Sequence, residues 1–174
     1  TLTQMILAGM NFSLFFLTVT GKIKKAITDS ELITYISVFV VISLAITLNV
    51  YLTKGQFDTF GQALHQSLFA GASALTSTGF AAYDYNLWPW FSKGLLLLAM
   101  FIGGCAGSTA GGIKVSRFII MTKSVKKYLK EKLHPRSVNV VKYNKKAVED
   151  DVVGGILIYF GIFILIFIVS NICI

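Results

Sequence analysis

Charge is scarce in this chain. Of its 174 residues, 14% are charged and only eight are acidic, whereas a soluble domain carries about 25% charged residues. With hydrophobic residues at 55% and a mean hydropathy of +0.71, so few charges cannot cover a soluble surface. The same figures exclude disorder, which needs low hydrophobicity and high charge. Cysteine is nearly absent too. Cys105 and Cys173 both lie inside apolar stretches, which excludes a disulfide scaffold. No basic segment followed by a small-residue cleavage site opens the chain, so no signal peptide is expected. A start at Thr1, directly in an apolar run, points to an internal stretch of a longer protein. What remains is an integral membrane protein.

The net charge is +8, and nine of the sixteen basic residues fall between Lys123 and Lys146. Such a cluster suits nucleic acid or acidic lipid. A cytoplasmic loop obeying the positive-inside rule accounts for it more simply, and no nucleic-acid partner is expected. A spanning helix needs about 20 mostly apolar residues. Four uncharged stretches reach that length: 1–21, 32–53, 94–113, with glycines in its second half, and 152–174. A fifth, 59–83, is rich in Gly, Ala, Ser, Thr and Gln. A helix over 61–75 there would be about 22 Å long, too short for ~30 Å of hydrocarbon. It reads as a re-entrant helix followed by extended backbone.

Orientation supports that reading. Lys22, Lys24 and Lys25 place the start of the second stretch in the cytoplasm, and the 123–146 cluster places the end of the third there as well. Lys54 to Lys93 holds no basic residue except its two ends. Two cytoplasmic segments require an even number of crossings between them. One helix out, a re-entrant segment and one helix back satisfies this, whereas a full span over 59–83 would make three.

Helix, re-entrant helix, extended strand, helix is the layout of a cation-channel pore module. Thr76-Ser77-Thr78-Gly79-Phe80 stands where a selectivity filter belongs, with potassium expected at Thr76 to Gly79. A dehydrated cation needs oxygen ligands, and backbone carbonyls supply them without fixed charge. Aiming successive carbonyls at one axis requires dihedrals that side chains resist, so Gly79 is the expected pivot. The C-terminal end of the preceding helix would turn its negative dipole end toward the cation. Taken alone, Ser-Thr-Gly is also an ordinary loop; the crossing count favours the filter.

The second motif is Gly103-Gly104-Cys105-Ala106-Gly107-Ser108-Thr109-Ala110-Gly111-Gly112, followed by Ile113-Lys114. Five glycines in ten residues oppose a helix, each costing up to about 1 kcal/mol against Ala. Gly103/Gly107 and Gly107/Gly111 match GxxxG, a helix-packing face. A phosphate loop fails because Ile113 stands where its Lys is required, with no buried strand before it. The preferred reading is an unwound stretch near mid-membrane, facing protein or water, below the filter and able to obstruct the pore as a gating loop. Lys114 and Arg117 either face a cavity or snorkel to the inner interface, with Lys114 leaning to the cavity.

Other residues carry less. His65 reads as a hydrogen-bonded structural residue. Cys105 has no His or acid near it in sequence to make it a nucleophile, and no enzymatic activity or organic cofactor is expected. Tyr83, Tyr85, Trp88 and Trp90 form an interfacial aromatic belt. Asp58 and Asp84 either attract cations to the mouth or are solvated loop residues. Asn11 and Asn171 are expected to hydrogen-bond between helices.

The TSTGF of Thr76–Phe80 together with GGCAGSTAGGIKVSR from Gly103 to Arg117 resembles the TrkH/KtrB-type membrane subunits of bacterial potassium uptake systems, above all TrkH. Gly9-Met10-Asn11-Phe12-Ser13 is similar to the end of that family's second repeat. The resemblance implies an all-α integral membrane protein of a potassium-channel-like superfamily, built from four helix–re-entrant pore helix–helix repeats around one pore. This chain would be a fragment of that four-repeat chain. It would hold the last helix of the preceding repeat (1–21) and a complete pore repeat over 32–122, made of a helix 32–53, pore helix and filter 61–80, and a broken helix 92–122. A basic cytoplasmic loop (123–150) and the first helix of the following repeat (151–174) would complete it. It further implies K+ as the transported ion, Gly103–Gly112 as the gate, residence among the lipids of the bacterial inner membrane, a homodimer, and a cytosolic nucleotide-binding regulatory subunit resembling TrkA. Three filter strands would be missing, so a full pore cannot come from this chain alone. A homotetrameric two-helix channel is the first alternative, disfavoured by the extra flanking helices. A membrane scaffold binding acidic lipid through the basic loop is the second.

Overall fold

The computed structural model describes residues 1–53, 57, 59–134, 140–144 and 146–173. Lys54, Asp58, Arg136 and Lys145, which bear on the charge pattern, lie outside the described residues. The chain divides into two compact units, Thr1–Val115 and Ser116–Ile174.

The first unit is built around α4 (Ser30–Leu52), long and apolar enough to cross a membrane. Asp29 starts it by accepting hydrogen bonds from the Glu31 and Leu32 N–H groups at 2.8 and 3.3 Å, which satisfies donors the first turn leaves open. Tyr35, Phe39, Ile42, Ile46 and Val50 form its buried stripe. Their spacing of three and four residues puts them on one helix face. Against α4 lie α5 (Phe60–Leu75) and α6 (Trp90–Ile102). Small residues permit the α4–α5 approach: a Cβ on Gly71 would stand 2.6 Å from Ser43 Oγ. Ser92 of α6 donates to Asn49 Oδ1 of α4 at 2.8 Å.

The sequence predicts one helix over 1–21. The structure has two, α1 (Leu2–Ala8) and α2 (Phe12–Val19), bent by 97°. The break has a local cause. Asn11 is the N-cap of α2, its Oδ1 accepting from Ser13 N–H at 2.9 Å, so it caps a helix rather than bridging two. Gly9 ends α1 where no side chain fits, since a Cβ there would collide with Tyr35 Oη and lie 2.9 Å from Thr76 Cγ2. A short α3 (Ile23–Ile27) leads into α4.

In the second unit α7 (Val115–Leu133) continues from Ser116, so the basic segment expected as a loop over 123–150 is helical as far as Leu133. Ile119 and Ile120 are buried near its start, whereas Lys123, Lys126 and Lys130 are exposed. Lys130 and Lys132 occupy its last turn, where positive charge complements the helix dipole. Beyond it, β1 (Lys142–Tyr143) pairs antiparallel with β2 (Lys146–Ala147). The 23-residue α8 (Asp150–Ile172) is apolar enough to span. Lys127 binds Asp150 at 2.9 Å, and the Arg117 guanidinium lies 4.2 Å from the Tyr159 ring centre. Asn171 donates to Phe167 O, one turn back in the same helix, instead of bonding between helices.

Candidate functional site

At its C-terminus α5 closes with a defined turn. Thr78 N–H donates to Ser73 O at 3.0 Å and Ser77 N–H to Ala74 O at 3.2 Å, with Ser77 at φ 55°. This pair of bonds around a left-handed residue is a Schellman motif, formed here without glycine. Thr76 Oγ1 donates to Ala72 O at 2.7 Å and lies 2.6 Å from Thr78 Oγ1. The turn uses the last helix carbonyls internally and sends the chain off as non-helical backbone. Gly79 follows at φ +77°, with nothing within 4 Å of a Cβ placed on it. Thr76 is buried, and Ser77, Thr78, Gly79 and Phe80 are exposed. Behind this segment is a cavity of about 230 Å³, lined by Ser73, Ala74, Ser77, Gly79, Tyr85 and Met100 among others. Tyr85 Oη donates to Phe80 O at 3.3 Å.

After Ile102 the chain is not helical again until Val115. A GxxxG packing face would need helix here, so that alternative fails. The segment is a loop with a pinched base. Gly103 and Gly112 have φ +71° and +79°, and a Cβ on Gly112 would stand 2.8 Å from Gly103 Cα. Ile113 N–H donates to Phe101 O at 2.9 Å, Lys114 N–H to Ile102 O at 3.1 Å and Val115 N–H to Gly104 O at 3.0 Å. The body of the loop is fixed to the break between α1 and α2. Cys105 N–H donates to Gly9 O at 2.9 Å, Thr109 N–H to Ala8 O at 3.3 Å, and Gly107 O accepts from Phe12 N–H at 3.2 Å. Ser108 Oγ turns back onto Cys105 O at 2.6 Å. Lys114, itself at φ +82°, donates through Nζ to Ser108 O and Ala110 O. Its ammonium group is thus directed at the loop's own carbonyls.

The two motifs meet. A Cβ on Gly111 would lie 2.9 Å from Ser77 Oγ, so the loop rests against the left-handed residue that closes α5. Gly107, Thr109 and Gly111 are exposed on the loop. The remaining candidates separate. His65 is exposed on α5. Trp88 is buried while Trp90 is 86% exposed, so the aromatic belt is split. Tyr83 and Tyr85 pack on Trp88 with ring centres 6.5 and 5.1 Å apart. Asp84 caps a 3-10 turn by accepting from Asn86 N–H at 2.9 Å.

Two participants are hidden in the sequence. Tyr85 reads there as part of an aromatic belt, yet it lies behind the Thr76–Phe80 segment. Glu31 is inconspicuous, since an acid in a first helical turn is an ordinary dipole partner. It is 2% exposed, and its Oε1 accepts from Ala106 N–H at 2.6 Å.

A family model for TrkH, described as a cation transport protein, matches residues 1–174. The chain belongs to the TrkH family. The Trk system potassium uptake protein TrkG of Escherichia coli K12 is 35% identical over 161 residues, covering 92% of this chain and 33% of TrkG. The corresponding TrkH of Salmonella typhimurium is 32% identical over 171 residues, covering 98% and 35%. The crystal structure of the potassium transporter TrkH from Vibrio parahaemolyticus superposes with a TM-score of 0.88 at 33% identity, covering 97% of this chain and 36% of that one. The chain therefore spans about a third of the length of these TrkH-family relatives. Its fold is that of an all-α integral membrane protein of the TrkH type, and its relatives are transport proteins.

Proposed function

We propose that this chain supplies one pore repeat of a bacterial inner-membrane potassium uptake protein. Permeant K+ passes the backbone carbonyls of Thr76, Ser77, Thr78 and Gly79, with Phe80 leading away, and the loop from Gly103 to Gly112 obstructs the path below. The observation that carries this reading is the contact of Gly111 with Ser77. An unwound, glycine-pinched loop seated against the inner end of the ion-coordinating segment stands in the path of a permeant ion. The geometry of that segment supports carbonyl coordination, because Gly79 holds a left-handed φ in open space. No acidic side chain belongs to the segment, so its oxygen ligands carry no fixed charge. The homodimer and the TrkA-like cytosolic nucleotide-binding subunit follow from the family resemblance and belong to the full-length protein. No organic cofactor is required by carbonyl coordination.

The test is flux from the full-length parent in proteoliposomes with K+, Rb+ and Na+. K+ and Rb+ should pass and Na+ should lag. A purified, folded parent that moves none of the three would overturn the reading.

A further inference from the structure

Glu31 is a buried carboxyl group, 2% exposed, which ion coordination does not use. Burying such a group is costly unless it is hydrogen-bonded. Among the described residues its side chain meets a backbone donor, the Ala106 N–H at 2.6 Å, 75 residues away in sequence. The backbone of Glu31 is itself fixed, since its N–H donates to Asp29 Oδ1 at 2.8 Å. The loop's anchors at Cys105, Gly107 and Thr109 go to α1, α2 and the break between them. Glu31 ties the loop instead to α4, the helix against which α5 and α6 pack.

We propose that Glu31 is a positioning residue that latches the loop in its obstructing position. The loop is hinged at the Gly103–Gly112 pinch, where both glycines are already left-handed. Motion about that base must break whatever holds the middle, and Ala106 is in the middle. The carboxylate acts through Ala106 and does not touch the permeant ion. The bond therefore biases the closed state without entering selectivity. The latch rests on the gate proposed above.

The experiment compares full-length Glu31→Asp and Glu31→Gln with the unmodified protein in proteoliposomes, without the cytosolic subunit. Asp keeps the charge but is one methylene shorter and cannot reach Ala106. Gln drops the charge but keeps an acceptor oxygen in place. Glu31→Asp should raise basal Rb+ flux about tenfold, the size set by losing one strong hydrogen bond. Glu31→Gln should stay near the unmodified level, and both should keep K+ over Na+ discrimination. Folded Glu31→Asp with flux unchanged or reduced overturns the latch, and so does Glu31→Gln rising as far as Glu31→Asp. Should the Asp variant not fold, amide hydrogen exchange on the unmodified protein decides instead: Ala106 must be protected, and fast exchange there overturns the latch. A shortened loop lacking Ala106 to Ala110 separates the two levels. If that deletion raises flux and Glu31→Asp does not, the latch alone fails; if the deletion also leaves flux unchanged, the gate fails with it.

Discussion

Within the two motifs the conformational load falls on a few residues, and for different reasons. Gly79 has φ +77° with open space where a Cβ would stand, so its requirement is dihedral and not steric. A left-handed conformation costs an L-residue roughly 1–2 kcal/mol. Gly79→Ala should therefore fold normally yet tilt the segment away from its coordinating shape. K+ over Na+ discrimination in the full-length protein should fall about tenfold, read from paired flux assays; unchanged discrimination in well-folded protein would remove Gly79 from the pathway. Gly103 and Gly112 differ, because side chains there would collide with backbone as well. Glycine is legible in a sequence as conformational freedom, and these positions are readable for that reason. Ser77 at φ 55° and Lys114 at φ 82° are not. Nothing in their identity announces a left-handed backbone, which is imposed at Ser77 by the turn that closes α5. Glu31 is illegible for a related reason: its partner, Ala106, is defined only once the loop has folded.

At the scale of elements, hydrophobic runs signal helix existence well and continuity poorly. The helix expected over 61–75 runs Phe60–Leu75, and that expected over 32–53 runs Ser30–Leu52. The apolar run over 1–21 is continuous, yet its helix breaks after Ala8 because a capping asparagine and a sterically locked glycine interrupt it. Run length cannot register such a break. The consequence reaches the loop, since the carbonyls of Ala8 and Gly9, released from α1 at the break, become its anchors. The element-scale prediction concerns the loop as a whole. Deleting Ala106 to Ala110 removes the residues held by Glu31 and Ala8 while sparing the Gly103–Gly112 pinch. K+ flux per folded molecule should rise and dependence on a cytosolic regulator should weaken. Selectivity should persist, because Thr76 to Gly79 are untouched. Unchanged or reduced flux in monodisperse deletion protein would show that the loop does not obstruct the path.

For the whole molecule, length decides what can cross the bilayer. At the usual rise, α4 is about 35 Å long, α5 about 24 Å and α6 about 20 Å, against roughly 30 Å of hydrocarbon. Only α4 of these three spans unaided. In the proposed topology α5 ends inside the membrane and its chain turns back, a course that the turn at Ser77 and the non-helical Thr78–Phe80 segment permit. α6 stops at Ile102, short of that thickness, and in the same topology the loop from Gly103 to Lys114 supplies further depth. Irregular backbone at that depth is tolerated only against protein or water, and the loop has protein partners in the carbonyls of Ala8 and Gly9 and the N–H of Phe12, with Cys105, Ala110 and Ile113 buried. This balance predicts sidedness. In a full-length protein with Cys105 and Cys173 replaced, single cysteines at Thr53 and at Trp90 should both react with an impermeant thiol reagent from outside. A cysteine at Lys126 should react only from inside, as the positive-inside rule requires for so basic a segment. If Thr53 and Trp90 label from opposite faces, α5 is a full crossing, its C-terminal turn is not at mid-membrane, and Thr76–Gly79 loses the position that carbonyl coordination of a permeant ion requires.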